Sequence, residues 1–425
     1  MRKPLIPGRY LMVVGTFLLA LLLYIDRVCI SVAKEPIASE LGFSDKQMGW
    51  ILSVFALGYA LFQTPGGMLA DRLGPRRVLT AVVSFWSIFT ALTGAVWNFV
   101  TMLVVRFLFG AGEAGAFPGI SRAVYSWIPL QERGLVTGIN FSGSRLGAAF
   151  ALPFVAWLII SLGWRLSFLV LGGMGLLWAL VWYVLFRDDP IHHSGLTSEE
   201  KDFIRTHRQS GREASEEVVA KTKLRASTLF GSTNMWLAMM QYFCSNFTFF
   251  FCLTWLFPHL KSQYALDTME AGLYSSAPLV FGALGNWLSG WWVDRIYKQG
   301  QWQRSRRLPA MVGFALAAVG LVASIYMETP LSAIAFLSIA IFGADMTLSP
   351  SWSFTVDIGK EHAGAVSGTM NMAGNIGAFL TALAFPYLQS WTGSVTPFFF
   401  LGAVLNLIAI GLWTFMKSDK SLEEY

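Results

Sequence analysis

Charge is scarce in this chain. Only 13% of its 425 residues are Asp, Glu, Lys or Arg, while 55% are hydrophobic, and that imbalance excludes an ordinary soluble domain. Cysteine is scarcer still. Cys29, Cys244 and Cys252 all fall in apolar stretches, at no disulfide-framework or metal-ligand spacing, and read as small core residues. The five histidines (192, 193, 207, 259 and 362) lie in loops or at the ends of apolar stretches, which argues against both a metal site and an intramembrane histidine relay. No nucleophile–base motif and no nucleotide-binding loop accompanies the acids, so the reading is not an enzyme, with no cofactor and no metal.

What is abundant is long apolar sequence. Stretches near 10–33, 48–70, 77–97, 99–125, 134–160, 166–187, 232–257, 269–293, 308–327, 331–356, 363–389 and 394–416 reach the ~20 residues needed to span a bilayer. These are twelve expected spans. Residues 1–9 are short and basic, and the first span follows without a small-residue cleavage site, so an uncleaved first helix is expected. The polar interruption 188–231 separates a bundle at 1–187 from one at 232–425, and it contains a stretch of helical character at 197–208.

The net charge of +6 could suggest a nucleic-acid partner, but its distribution does not. With both termini cytoplasmic, only Lys34, Lys46, Arg165 and Lys261 fall on the far side, while Arg27, Arg106, Arg122 and Arg145 lie within spans. That is the positive-inside pattern, with lipid headgroups rather than nucleic acid as partners. The two halves also echo one another. Gly67-x3-Asp71-Arg72 closes the second span and Gly290-x3-Asp294-Arg295 the eighth; Gly134-x3-Gly138 opens the fifth and Gly364-x3-Gly368 the eleventh. Their order and shared position indicate duplication.

A charge near the bilayer centre costs ~2.5–3.5 kcal/mol on insertion scales, so ionisable residues inside spans are candidate functional groups. Asp26 and Arg27 lie in the first span, Arg106 and Glu113 in the fourth, where two helical turns put them on one face. Glycines 110, 112 and 115 thin that helix, and Pro118 is placed to kink it. Glu113 is read as a titrating carboxylate with Arg106 as its modulator; the alternative is an interhelical salt bridge. Asp26 and Arg27 admit a mutual structural pair as well. Arg145 offers either positive potential for a second acid on a substrate or neutralisation of an acid such as Glu113. Arg122 is expected to snorkel. Asp345 admits a helix link or a coupling role.

The loop Gly66-Gly67-Met68-Leu69-Ala70-Asp71-Arg72-Leu73-Gly74-Pro75-Arg76-Arg77 resembles the most specific motif of the major facilitator superfamily. In that family the loop is a conformational latch, which implies that role for Gly67, Asp71, Arg72, Gly74, Arg76 and Arg77. Three further stretches resemble its anion:cation symporter branch, in particular bacterial sugar-acid transporters. They are Tyr24-Ile25-Asp26-Arg27, the run from Arg106 through Gly110 and Glu113 to Pro118, and Asn371-Met372-Ala373-Gly374-Asn375-Ile376-Gly377. One departure is Ser142-Gly143-Ser144-Arg145, where relatives often carry Ser-Gly-Gln.

The resemblance implies an all-α membrane protein of twelve transmembrane helices in two pseudo-symmetric six-helix bundles, working as a monomer in the bacterial inner membrane. It implies proton-coupled uptake of a small organic anion, such as a hexonate, hexuronate or aldarate, by alternating access with H+ as driving ion. Asp26 and Glu113 are then proton-coupling residues. Arg27 is the carboxylate anchor, a task its planar fork suits, and Arg106, Ser144 and Arg145 stand near the substrate. Tyr59, Gln241, Asn246, Trp352, Asn371 and Asn375 correspond in position to substrate contacts. The competing reading is a proton-antiport exporter of amphipathic compounds on the same fold, against which stand Arg27, Arg106 and Arg145.

Overall fold

The computed structural model describes residues 7–208, 226–266 and 268–422. All twelve expected spans fall on helix. The main elements are α1 (Arg9–Val32), α2 (Asp45–Leu73), α3 (Pro75–Thr93), α4 (Phe99–Glu113), α5 (Ala116–Trp127), α6 (Arg133–Leu185), α7 (Ser198–His207), α8 (Thr233–Thr254), α9 (Thr268–Lys298), α10 (Trp302–Ile325), α11 (Pro330–Met346), α12 (Leu348–Gly359), α13 (Ala363–Thr392) and α14 (Thr396–Phe415). Eight stretches among the described residues are long and apolar enough to cross a membrane by themselves, and one of them, Pro330–Thr381, runs through two expected spans.

Local chemistry explains the helix limits. Ser44 and Gln47 form a reciprocal capping box at α2, and Asn98 and Thr101 do the same at α4. Thr329 caps α11 just ahead of a proline at its first position. Gly74 takes φ +82°, a backbone only glycine adopts readily, and a Cβ there would lie 2.6 Å from the Asp188 carboxylate. That carboxylate accepts the Arg76 N–H at 2.8 Å and so holds the start of α3. Spans five and six form one continuous helical run, α6, broken in direction at Gly163 (φ 75°, ψ 160°). Span four divides between α4 and α5, and span ten between α11 and α12.

The surface helix expected at 197–208 is α7. Its cap is Thr197, whose hydroxyl accepts the Glu200 N–H. Glu200 in turn accepts from Gly8 N (2.8 Å), Arg9 N (2.9 Å) and Arg9 Nη1 (3.2 Å), which ties α7 to the first turn of α1. Residues 209–225 of the expected connecting segment lie outside the described residues.

The helices pack as two units. The first comprises Met1–Leu130, Leu146–Thr222 and Gly359–Gly368; the second comprises Gln131–Arg145, Lys223–Ile358 and Thr369–Tyr425. The core of the first gathers Ile25, Cys29, Ile51, Trp164 and Phe168. In the second, Phe247, Phe251, Cys252, Phe385 and Phe398 pack together. All three cysteines are buried thiols.

The glycine repeats read from the sequence are close helix contacts, each inside one unit. In the first, a Cβ on Gly67 would lie 2.1 Å from the Gly364 carbonyl, and one on Gly368 2.7 Å from the Gln63 carbonyl. In the second, a Cβ on Gly138 would meet the Asn286 carbonyl at 2.3 Å. Backbone this close to backbone leaves no flexible side chain to give way.

Two outcomes follow for detergent-solubilised protein. Gly67→Ala lowers the thermal midpoint, at a cost of about 1–3 kcal/mol for overpacking, whereas Gly173→Ala, with open space at its Cβ, is neutral or stabilising; equal midpoints for the two variants would disprove the contact. The second outcome concerns His259, packed against Phe251, Phe385 and Phe399. Burial pulls its imidazole down to about 4. The unfolded chain binds that proton below about pH 6.5 and the folded chain does not, so this stability is full above pH 6.5 and lost as pH falls toward 4. His259→Phe flattens the acid limb of a midpoint-versus-pH curve; an unchanged limb refutes the assignment.

Candidate functional site

Asp26 and Arg27 diverge by ~100° around α1, and they find different partners. Asp26 is buried, and its Oδ2 accepts a hydrogen bond from Trp86 Nε1 of α3 at 3.0 Å. Arg27 donates from Nε to Glu113 Oε2 at 2.6 Å. Glu113 is fully buried at the last position of α4, where the helix dipole disfavours a carboxylate and a cation offsets it. The mutual Asp26–Arg27 pair is therefore not formed. Interhelical ion pairing does occur at Glu113, through Arg27 of α1.

Aromatic rings wall this cluster. The Arg27 guanidinium stands 4.3 Å from the Tyr59 ring centroid, 5.1 Å from Tyr24 and 5.3 Å from Phe55. Arg106 is buried over Phe109 (4.5 Å) and Phe55 (5.4 Å). Glycines bring the helices together: a Cβ on Gly110 would lie 2.2 Å from the Phe55 carbonyl, and one on Gly112 2.5 Å from the Phe85 ring. Glu113 and Arg106 are electrostatic neighbours of Asp26. Two acids and two guanidiniums thus balance inside the first unit. The balance is incomplete atom by atom, because Arg27 Nη2, Arg106 Nε and Glu113 Oε1 are buried without a hydrogen-bond partner among the described residues. Such atoms are costly unless an incoming group uses them.

The remaining candidates belong to the second unit. Ser144 is fully buried and its hydroxyl has no partner among the described residues. Arg145 is buried and grips Asp345 through Nε (2.8 Å) and Nη2 (2.6 Å). Gln241 is fully buried and its amide is spent inside the chain, donating to the Ala238 carbonyl at 3.0 Å and accepting from Ser351 (3.1 Å) and Trp413 (3.3 Å). Trp352 Nε1 donates to the Tyr242 hydroxyl at 2.9 Å. Asn246 lies against Gly374, where a Cβ would stand 2.1 Å from its Nδ2. Asn371 and Asn375 share a face, with Asn375 Nδ2 donating to the Asn371 carbonyl at 2.7 Å.

At the motif loop, Asp71 caps the start of α13, accepting from Gly364 N (2.9 Å) and Ala365 N (2.8 Å), with Arg122 Nε 3.8 Å away. The Asp294 carboxylate makes the equivalent cap on α6, accepting from Gly134 N and Leu135 N at 2.8 Å each. Arg76 bonds the Tyr183 carbonyl at 2.8 Å, whereas Arg72 and Arg77 are exposed. Arg122 is only half-buried and donates to Ser126 at 2.8 Å.

Sequence reasoning missed several members. Trp86 carries no charge to attract notice. Asp357, fully engaged by Arg133 (2.7 Å), Arg306 (2.8 Å) and Trp302 (3.0 Å), draws on residues far along the chain. Gln63 had a usable signal, one turn from Tyr59 on the same face; it is fully buried with both amide atoms lacking a partner among the described residues.

Comparison with known proteins fits this geometry. The model of the Major Facilitator Superfamily matches residues 16–382. The chain is 35% identical to the "Probable sulfoacetate transporter SauU" of Cupriavidus necator, covering 96% of this chain and 94% of that protein. It is 30% identical to the "Probable galactarate/D-glucarate transporter GarP" of Escherichia coli K12 (98% and 96% covered) and 29% identical to the "D-galactonate transporter" of Escherichia coli O6:H1 (95% and 95%). Among solved structures, the proton:xylose symporter XylE bound to 6-bromo-6-deoxy-D-glucose superposes with a TM-score of 0.75 at 16% identity, covering 98% of each chain. The Escherichia coli fucose:proton symporter FucP gives 0.71 at 15% identity, covering 96% of this chain and 99% of that one. With its helical spans, its buried charge cluster and its glycine-tight helix contacts, this chain belongs to the major facilitator superfamily, as an all-α, multi-pass membrane transporter and not an enzyme.

Proposed function

We propose that the protein takes up an organic anion by proton-coupled symport with alternating access, a sugar acid or an acid of similar size being the cargo its chemistry suits. The observation that carries this reading is the single-bonded Arg27–Glu113 pair, with Arg27 Nη2 and Glu113 Oε1 both unspent. The relatives named for sulfoacetate, galactarate, glucarate and galactonate are all transporters of small organic acids, which supports the same cargo class.

Glu113 and a substrate carboxylate compete for one guanidinium. While Glu113 is ionised it holds Arg27 Nε. A proton on Glu113 ends that charge pairing, and Arg27 then grips the anion through two N–H groups. Proton and anion favour the same state, which is the linkage symport requires. Asp26 supplies a second protonation site, and Tyr59 and Arg106 shape the surroundings of Arg27. The Asp71 cap on α13 serves as the latch that each transport cycle releases. The setting is the bacterial inner membrane, with both termini cytoplasmic and the monomer as working unit.

Stoichiometry makes the mechanism testable. One proton with a monoanion moves no net charge. Two protons move one positive charge inward, worth about 2.3 kcal/mol per 100 mV, or nearly fifty-fold accumulation. In proteoliposomes supplied with an external labelled aldonate, an imposed inside-negative potential therefore stimulates uptake; indifference to the potential eliminates the two-proton scheme. Glu113→Gln abolishes accumulation driven by a pH gradient while substrate counterflow persists. Accumulation at the wild-type level in that variant would be fatal to Glu113 as a coupling group.

A further inference from the structure

The Arg145–Asp345 pair lies outside the mechanism above, and four elements of the second unit build it. Arg145 comes from α6, Asp345 from the last turn of α11, Phe249 from α8 and Gly282 from α9. Both charged residues are buried, at 4% and 1% exposure. Asp345 takes the Nε–Nη2 edge of the guanidinium with two short bonds, 2.8 and 2.6 Å. The Phe249 ring centroid stands 3.6 Å from the guanidinium carbon and covers one of its faces. A Cβ on Gly282 would lie 2.2 Å from Asp345 Oδ2, so glycine there leaves the carboxylate its place.

This is the geometry by which an arginine recognises an organic acid: a planar fork, a bidentate carboxylate and an aromatic lid. Here the carboxylate belongs to the chain. The last turn of a helix is an unfavourable place for an anion, because the helix dipole opposes it there, and the Arg145 cation offsets that penalty. Resting on the anion-symport reading, we infer that Asp345 is a built-in surrogate for a substrate carboxylate: it occupies Arg145 and so sets how many acidic groups the transporter reads on its cargo. An intramolecular partner held in place has an effective concentration far above that of a free ligand, so a second acid on the substrate does not displace it. Arg145 then contributes packing and charge balance, and recognition of the anion rests on the first unit.

The experiment compares two six-carbon acids that differ only at one end, D-gluconate with one carboxylate and D-glucarate with two. Each competes for uptake of a labelled aldonate in proteoliposomes, and the readout is the ratio of their inhibition constants. Removing both charges of a buried pair is tolerated far better than removing one, so the decisive variant is Arg145→Gln with Asp345→Asn. It is expected to keep the wild-type ratio within twofold. Asp345→Asn alone unmasks Arg145 and shifts the ratio at least tenfold toward the dicarboxylate. A double variant whose ratio moves tenfold or more overturns the inference, because Arg145 would then be reading substrate in the wild type. A folded Asp345→Asn protein with an unmoved ratio overturns it as well. Should Asp345→Asn fail to fold, the double variant alone decides. Wild-type protein that shows no proton-driven uptake at all sinks the symport reading instead, and direct binding of the two acids to detergent-solubilised protein then reads the same ratio.

Discussion

Water is what a charge inside an apolar helix lacks, and the need to replace it governs this structure. Every ionised group in the interior must find an opposite charge, a hydrogen-bond donor or an aromatic face within the chain. Arg27 satisfies the rule with Glu113 and three rings, Asp26 with the Trp86 indole, Arg145 with Asp345 and Phe249, and Asp357 with two arginines. These partnerships draw helices together at defined points.

The partnerships differ in completeness. Asp345 holds two edge nitrogens of Arg145, a closed arrangement. Glu113 holds only Arg27 Nε, and both partners keep a buried polar atom unspent. A half-used pair at the end of a helix costs stability, since a desolvated donor or acceptor without a partner is penalised by about 1–3 kcal/mol. A group that supplied a hydrogen bond to either unspent atom would relieve part of the deficit that the pair leaves.

Much of the fold was legible in the sequence. Twelve apolar stretches of spanning length became helix, and the glycine echoes between the halves became the backbone contacts at Gly67, Gly138 and Gly368. The reason is local: a lipid-facing segment must satisfy its own backbone, so length and apolarity nearly dictate a helix, and only glycine permits such approach. The candidate charges were legible too, since Asp, Glu and Arg in apolar runs announce themselves. Their pairing was not. Helical spacing put Arg106 and Glu113 on one face, yet Glu113 bonds Arg27, 86 residues away. Gln241, placed among the substrate contacts by resemblance, spends its amide on Ser351, Trp413 and its own helix.

The amino-acid sequence by itself determined the class of this protein: its spans, its duplicated halves, its motif loop and the short roster of charges confined to apolar surroundings. These depend on composition and period along the chain, which folding does not alter. Only the tertiary structure decided which charge answers which, that Asp71 and Asp294 cap helices remote from them in sequence, and that Arg145 is answered from within by Asp345. Ion pairing depends on distances of a few ångströms between side chains on different helices, and no one-dimensional spacing encodes them.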